Sequence, residues 1–298
     1  MQPITVRANG KINLSLNITG TQGGMHTLDS IVASVDIFDT VRVAFNRSGK
    51  VRVRFSSLGS EREFAPFTGD IGENNSAAAA MRLLQKRDPA LGADIAVQKG
   101  IPLAGGLGGS SADAAAVLRA AHIAMPNVFA LDTLLAQSIQ IGSDVPVMLR
   151  GGGARLRGVG DVLDVVPMPE LHLAIAHGEH GISSRDAYAR FDSLYPQKAH
   201  CPTDTDALVA ALGAGDVARI ATHIDNALTR PACELCAETE GTLAALGQTD
   251  AAAVFVTGSG NCCCGLYESE SATRAACEKV RQCGLAARAA RTVPFGCL

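Results

Sequence analysis

An α+β fold in two halves is what this 298-residue sequence predicts, and three observations carry the expectation. Short apolar alternations of strand type recur through the first half. A glycine-dense stretch at residues 100–109 runs straight into an alanine-rich segment suited only to a helix. The chain then closes as strand, strand, helix and strand between Ala252 and Thr292. The length accommodates about two domains at ~100–200 residues each. Pro167–Pro169 breaks regular structure, which places the division there, as 1–166 and 167–298.

Residues 4–7, 12–18 and Ile31–Phe38 alternate as strands. Val41, Val43 and Phe45, then Val51, Val53 and Phe55, alternate around Asn46–Lys50, which predicts a hairpin. Asn75–Lys86 carries Ala80, Leu83 and Leu84 at helical core spacing, and Asp94–Gln98 is a short strand. The alanine-rich helix runs to about Ala124, another from Leu131 towards Gly142, and Ala154–Val166 reads as a hairpin. In the second half a strand is expected at Leu171–His177, with helices at Ser184–Phe191, Asp204–Ala211, Asp216–Ala227 and Cys233–Leu246. The closing set comprises strands Ala252–Thr257 and Cys262–Tyr267, helix Glu270–Cys283 and strand Ala286–Thr292.

A net charge of −3, 18% charged residues and 4% aromatics argue against a nucleic-acid protein, which needs a basic surface. Neither a signal-peptide h-region nor an apolar run near the ~20 residues of a membrane span is present, so a cytoplasmic protein is expected. All nine cysteines lie after position 200. Cys233-x-x-Cys236 has half the spacing of a zinc site but no second pair to complete it. Cys262–Cys264 reads as the apolar start of a strand, and free thiols are expected throughout.

Chemistry concentrates in Ile101-Pro-Leu-Ala-Gly-Gly-Leu-Gly-Gly-Ser-Ser-Ala112. Flexible backbone leading into a helix N-terminus presents unpaired N–H groups and the positive end of the helix dipole, a natural phosphate site. Ser110 and Ser111 could cap the helix, or offer a hydroxyl to phosphate or magnesium. A Walker A loop would need Gly-Lys-Ser/Thr, and no lysine lies between Lys99 and the helix; a dinucleotide fingerprint would need a third glycine where the pattern from Gly106 runs Gly-Leu-Gly-Gly-Ser-Ser.

The segment resembles the Pro-x-x-x-Gly-Leu-Gly-Ser-Ser-Ala-type motif of the GHMP kinases. Ala8-Asn-Gly-Lys-Ile-Asn-Leu14, Gly24-Met-His-Thr-Leu-Asp29, Ile141-Gly-Ser-Asp-Val-Pro-Val147, Gly158-Val-Gly-Asp161 and Thr257-Gly-Ser-Gly260 match that family in order and spacing. The resemblance spans roughly residues 5 to 292. It implies a ribosomal-S5-like N-terminal domain, a ferredoxin-like C-terminal domain and an active site in the cleft between them. It further implies an ATP-dependent small-molecule kinase using Mg²⁺, as a monomer or homodimer.

Residue by residue, the resemblance assigns Asp144 as the group that takes or orients the acceptor's hydroxyl proton, with Lys11 beside it. Asn13, His26, Ser184 and Tyr188 become acceptor contacts, His26 reading a pyrimidine and Tyr188 stacking on it, which implies a small-molecule substrate carrying a cytidine diphosphate group. On the nucleotide side stand Asn75 and Lys99, facing adenosine, and Gly105, Gly106, Leu107, Gly108, Gly109, Ser110 and Ser111 around the phosphates, Ser111 also reaching the metal. Asp113, one turn into the helix, should face away from the phosphates. Met25 stands where relatives carry a tyrosine that sandwiches the base; Asn9 replaces a proline; Asn226–Ala232 lacks two acids of the family pattern. Another acceptor (a sugar, mevalonate-type or homoserine) and a nucleotide-binding protein without turnover stand as alternatives.

Overall fold

The computed structural model describes residues 2–57, 74–294 and 296. Its spine is a long antiparallel pair, β1 (Ile4–Gln22) and β2 (Met25–Asn46), joined by a tight turn at Gly23–Gly24. The two strands expected at 4–7 and 12–18 are one strand, with register shifts at Asn9/Lys11, Asn13/Ser15 and Ile18/Gly20. Such irregularities re-aim side chains locally, and here they bracket Lys11 and Asn13.

The expected hairpin after β2 does not form. β3 (Val51–Ser57) runs parallel to β4 (Gly92–Lys99), and β4 pairs antiparallel with β2, so β4 lies between the two strands. Parallel neighbours need a crossover, and α1 (Ser76–Gln85) lies between β3 and β4 in the chain. After β4 come α2 (Gly109–Ala124), α3 (Leu131–Ser138) and α4 (Val145–Arg150), then the hairpin β5 (Gly153–Gly158) and β6 (Val162–Val166). β5 docks on the first half of β2.

A second sheet follows. β7 (His172–His177) is succeeded by α5 (Ser184–Leu194), α6 (Thr205–Ala214), α7 (Val217–Ala221) and a two-residue β8 (Asp225–Asn226) that returns to pair with β1. Then come α8 (Thr229–Leu235), α9 (Ala237–Gly247), β9 (Ala253–Val256), β10 (Cys263–Tyr267), α10 (Glu270–Gln282) and β11 (Ala286–Arg291). The sheet is antiparallel in the order β11-β7-β10-β9, the ferredoxin-like arrangement.

Two helices are shorter than the sequence suggests. The segment 216–227 is helical only to Ala221 before β8, and 233–246 is split at Cys236, whose backbone is extended (φ −144°, ψ 106°). Small alanine-rich segments carry a weak periodic signal, so tertiary pairing decides where they break.

One core joins both halves. Leu208, Ala211, Leu212 and Ile220 of α6 and α7 pack into the cluster built on β1, β2, β4 and α2. Along α2, Ala112, Ala114, Ala115, Ala116, Val117 and Leu118 are all fully buried. Methyl side chains let this helix lie close against β1 and β2, while Val117 and Leu118 each contribute about 1.5–3 kcal/mol of apolar burial. That packing fixes the position of the helix's N-terminus.

Candidate active site

The glycine loop begins where β4 ends, at Lys99, and closes on Gly108, the N-cap of α2, in left-handed conformation (φ 71°, ψ 24°). No side chain caps α2; the capping role open to Ser110 and Ser111 is unfilled, and both line a cavity of about 550 Å³. Its wall also takes in Gly105, Gly106, Leu107, Gly108 and Gly109. The unsatisfied N–H groups of the first helical turn, with the dipole behind them, therefore lie on a cavity able to receive an anion.

A second glycine loop, Thr257–Asn261, crosses the first between β9 and β10. Gly106 has φ +82°, and a Cβ there would overlap the Thr257 carbonyl oxygen. A Cβ on Gly260 would in turn overlap the backbone of Gly105. The two loops thus meet main chain to main chain, a distance only glycine permits. Asn226 of β8 holds the second loop from below, donating from Nδ2 to the carbonyls of Val256 (2.9 Å) and Gly258 (2.8 Å). Cys262 lies under Gly105, and burial pushes its thiol up to about 12, which removes it as a nucleophile. The eight cysteines within the described residues are free thiols, as expected.

Lys11 and Asp144 face each other on the cavity wall, Nζ to Oδ2 3.6 Å. Lys11 is buried and donates to Asn13 Oδ1 at 2.7 Å; Asn13 Nδ2 donates to Ser30 Oγ at 2.8 Å, and its backbone N–H to Thr257 Oγ1 at 2.8 Å. The backbone N–H of Lys11 also bonds the Leu107 carbonyl at 3.0 Å, so the lysine and the glycine loop share one register. Asp144 is the N-cap residue of α4, but its carboxylate makes no capping bond and stays one-third exposed. A carboxylate without a structural task, beside a fixed ammonium, is free to engage a hydroxyl.

Ser184 and Tyr188, both on α5, reach the same cavity; Ser184 Oγ lies 2.7 Å from Ser259 Oγ of the second loop. Burial, reinforced by the charge of Asp144, pushes the Tyr188 phenol up, so it stays protonated as a donor. His26 takes a different place from the one expected. Its ring stacks on Tyr188 (centroids 4.8 Å, 23°) and bonds Asp192 Oδ1 through Nε2 at 2.8 Å, and it is not part of the cavity lining. Rings that close leave no slot for a base between them. Met25 is exposed beside it in sequence.

The adenosine-side residues need correction in detail. Asn75 N-caps α1, its side chain accepting from Ala78 N at 2.9 Å, while its neighbour Ser76 lines the cavity. Lys99 lies beneath the loop, not on its wall. Its ammonium binds Asp113 Oδ2 at 2.8 Å and Asp39 Oδ2, and all three residues are buried. Asp113 faces away from the cavity as expected, but into an ion pair. Burial pushes its carboxyl up to about 8 against the pull of Lys99. Burial also works against the Lys99 charge, but the two carboxylates outweigh it and hold the ammonium above the ordinary lysine range.

Asp39, Thr257 and Ser259 are the polar groups that sequence reading missed as individuals. Asp39 is one of three acids in its strand, with Asp29 and Asp36, and nothing local sets it apart; the other two lie in a loop already noted for its glycines. Among the described residues, no group of three or more His, Cys, Asp or Glu side chains could hold a metal. The cavity instead offers the Asp144 carboxylate with the hydroxyls of Ser110, Ser111 and Ser143.

Family models agree with this architecture. The GHMP kinases N-terminal domain matches residues 75–152, and the GHMP kinases C-terminal domain matches 208–285. The chain belongs to the GHMP kinases, and its two-domain α+β fold is theirs. It is 34% identical to the 4-diphosphocytidyl-2-C-methyl-D-erythritol kinase of Thermobifida fusca (strain YX), covering 95% of this chain and 93% of that one. A protein of the same name from Corynebacterium glutamicum (strain R) is 35% identical over 90% of this chain and 86% of its own. Among solved structures, a 4-(cytidine 5'-diphospho)-2C-methyl-D-erythritol kinase superposes with a TM-score of 0.75 at 26% identity, covering 98% of this chain and 100% of that one. Homoserine kinase from Cytophaga hutchinsonii shares the fold, at a TM-score of 0.70 and 18% identity over 100% and 97% of the two chains.

Proposed function

We propose that this chain transfers the γ-phosphoryl group of ATP to a hydroxyl of 4-diphosphocytidyl-2-C-methyl-D-erythritol, in isoprenoid precursor biosynthesis. The observation that carries the reading is the Lys11–Asp144 pair, 3.6 Å apart, on one cavity wall with the glycine loop at the N-terminus of α2. Names shared by relatives at 34–35% identity over nine-tenths of the chain supply the acceptor.

Phosphoryl transfer asks the protein for positioning and charge stabilisation more than for covalent chemistry. Asp144 accepts the hydroxyl proton while Lys11, held by Asn13, keeps hydroxyl and carboxylate in register. Gly105–Ser111 surround the triphosphate with backbone N–H groups. One carboxylate and three hydroxyls suit a magnesium ion, which takes most of its ligands from phosphate and water. Ser111 is the residue placed to meet it. When bound, that ion neutralises charge on the β- and γ-phosphates.

The pyrimidine stacks on Tyr188 from the cavity side, with His26 backing that ring and Ser184 near the diphosphate. Asn75 sits by the adenosine. The protein works in the cytoplasm as a monomer or homodimer, with its domains divided near residue 167. The experiment is an ADP-release assay with Mg-ATP and the cytidylyl acceptor, with homoserine, mevalonate and galactose in parallel. Turnover on the cytidylyl acceptor alone supports the reading. Turnover on another acceptor replaces it, and ATP binding without turnover on any points to a degenerate kinase.

A further inference from the structure

We infer that Asp39, Lys99 and Asp113 form a positioning triad that sets how well the glycine loop binds a polyphosphate, and that the Lys99 ammonium does not touch the nucleotide. The inference rests on the reading of that loop as the triphosphate site.

The three side chains come from β2, the end of β4 and the second turn of α2, and they meet beneath the loop. Lys99 immediately precedes the loop and Asp113 follows it, so one ammonium ties its two ends together. Asp39 does more than pair with the ammonium. Its Oδ1 accepts the backbone N–H of Gly100 at 2.7 Å and of Ile101 at 2.9 Å, the first two peptide groups of the loop. The ammonium itself sits close under Gly109, the first residue of α2, where an added Cβ would lie 3.4 Å from it. The fastening points therefore lie at the two ends of the segment whose N–H groups would hold phosphate, Gly100 and Ile101 at its entrance and Gly109 at the start of α2.

Two physical points favour positioning over simple stability. Buried ion pairs are weak stabilisers, because lost hydration offsets much of their attraction. Here the arrangement is not even complete, since Asp113 Oδ1 is buried with no hydrogen-bond partner among the described residues. What the triad does provide is a loop already arranged before the ligand arrives, which reduces the ordering cost of binding. A contact between Lys99 and the nucleotide would require the ammonium to leave two buried carboxylates facing each other. Its side chain is 3% exposed and is not part of the cavity lining.

The test compares the full-length wild type with Lys99→Met and Asp113→Asn by calorimetry, using ATP, GTP and inorganic tripolyphosphate and no acceptor. Leaving out the acceptor keeps the result independent of which hydroxyl the enzyme phosphorylates. The expected result is a rise in Kd of about tenfold or more for all three ligands alike, with the ATP-to-GTP preference unchanged. A collapsed preference with unchanged tripolyphosphate affinity would show that Lys99 contacts the nucleoside, and would overturn the inference. Lower melting temperatures with all three affinities unchanged would overturn it too, leaving the triad a structural feature only. Should Lys99→Met fail to fold, the isosteric Asp113→Asn decides by the same readout.

Discussion

Two lysine–aspartate clusters flank the glycine loop, and they differ in spacing, in burial and in what their charged groups are spent on. Lys11 and Asp144 stand 3.6 Å apart, with the Asp144 side chain 33% exposed on a cavity wall. Lys99 is in direct hydrogen-bonding contact with Asp39 and Asp113, and none of the three side chains exceeds 5% exposure. The first pair is held on the lysine side, by Asn13, and left open on the carboxylate side. The second is closed on itself. An ion pair that keeps one partner unspent can do chemistry on a ligand; one that spends both can only fix the backbone around it.

The largest effect separating the clusters should be on rate. Asp144→Asn removes the proton acceptor while keeping shape, so kcat should fall about 10²–10⁴-fold with ATP affinity little changed. Steady-state kinetics with ATP titrations checks both numbers. Loss of ATP affinity without loss of kcat would assign Asp144 to nucleotide binding.

Stability should sort the lysines the opposite way. Lys99→Met leaves the buried Asp39 carboxylate, with the Asp113 carboxyl beside it, without a cation and should cost about 3–5 kcal/mol. Lys11→Met leaves a carboxylate that keeps water but deprives the buried Asn13 Oδ1 of its donor, so its cost should be smaller, about 1–3 kcal/mol. Denaturant unfolding of the two variants compares them directly, and equal losses would erase the distinction drawn here.

The meeting of the glycine loops gives a third, smaller effect. Gly106→Ala places a methyl group against the Thr257 carbonyl at φ +82° and should destabilise by about 1–3 kcal/mol. It should weaken ATP binding as well, because the loops would have to part.

The clusters should differ in pH dependence as well. The Asp113 carboxyl is raised to about 8 when folded, against about 3.9 in an unfolded chain. The folded state then binds the extra proton between those values, so the contribution of Asp113 is full below about pH 4 and is lost as pH rises towards 8. Measured against Asp113→Asn, which cannot titrate, the melting temperature of the wild type should decline steadily from pH 5 to 8.5. A flat difference would mean that Asp113 stays ionised throughout.

The open cluster was legible in the sequence and the closed one was not. Lys11, Asp144 and the glycine loop sit in short motifs whose residue types announce their chemistry, and the structure brings them to one cavity. Asp39 lies in Ile37-Phe-Asp-Thr40, where nothing local says that a lysine sixty residues later, Lys99, will fold against it. The same blindness explains the false hairpin. Val41–Phe45 and Val51–Phe55 carry the right alternation around a plausible turn, but β4 brings both of its edges to the space between them. His26 was found by its motif, yet its stacking on Tyr188 depends on α5, from the other half of the chain. Local pattern gives residue type and element; partners distant in sequence decide what each side chain is spent on.

The central claim is that the open pair serves phosphoryl transfer to a cytidine-diphosphate-linked methylerythritol. Phosphorus NMR of a reaction containing the wild-type chain, Mg-ATP and that acceptor tests it most directly. The account expects a new phosphomonoester resonance growing in step with ADP, with the diphosphate of the acceptor intact and neither change with Asp144→Asn. ADP without a new phosphomonoester, or a phosphomonoester formed equally well by Asp144→Asn, would contradict it.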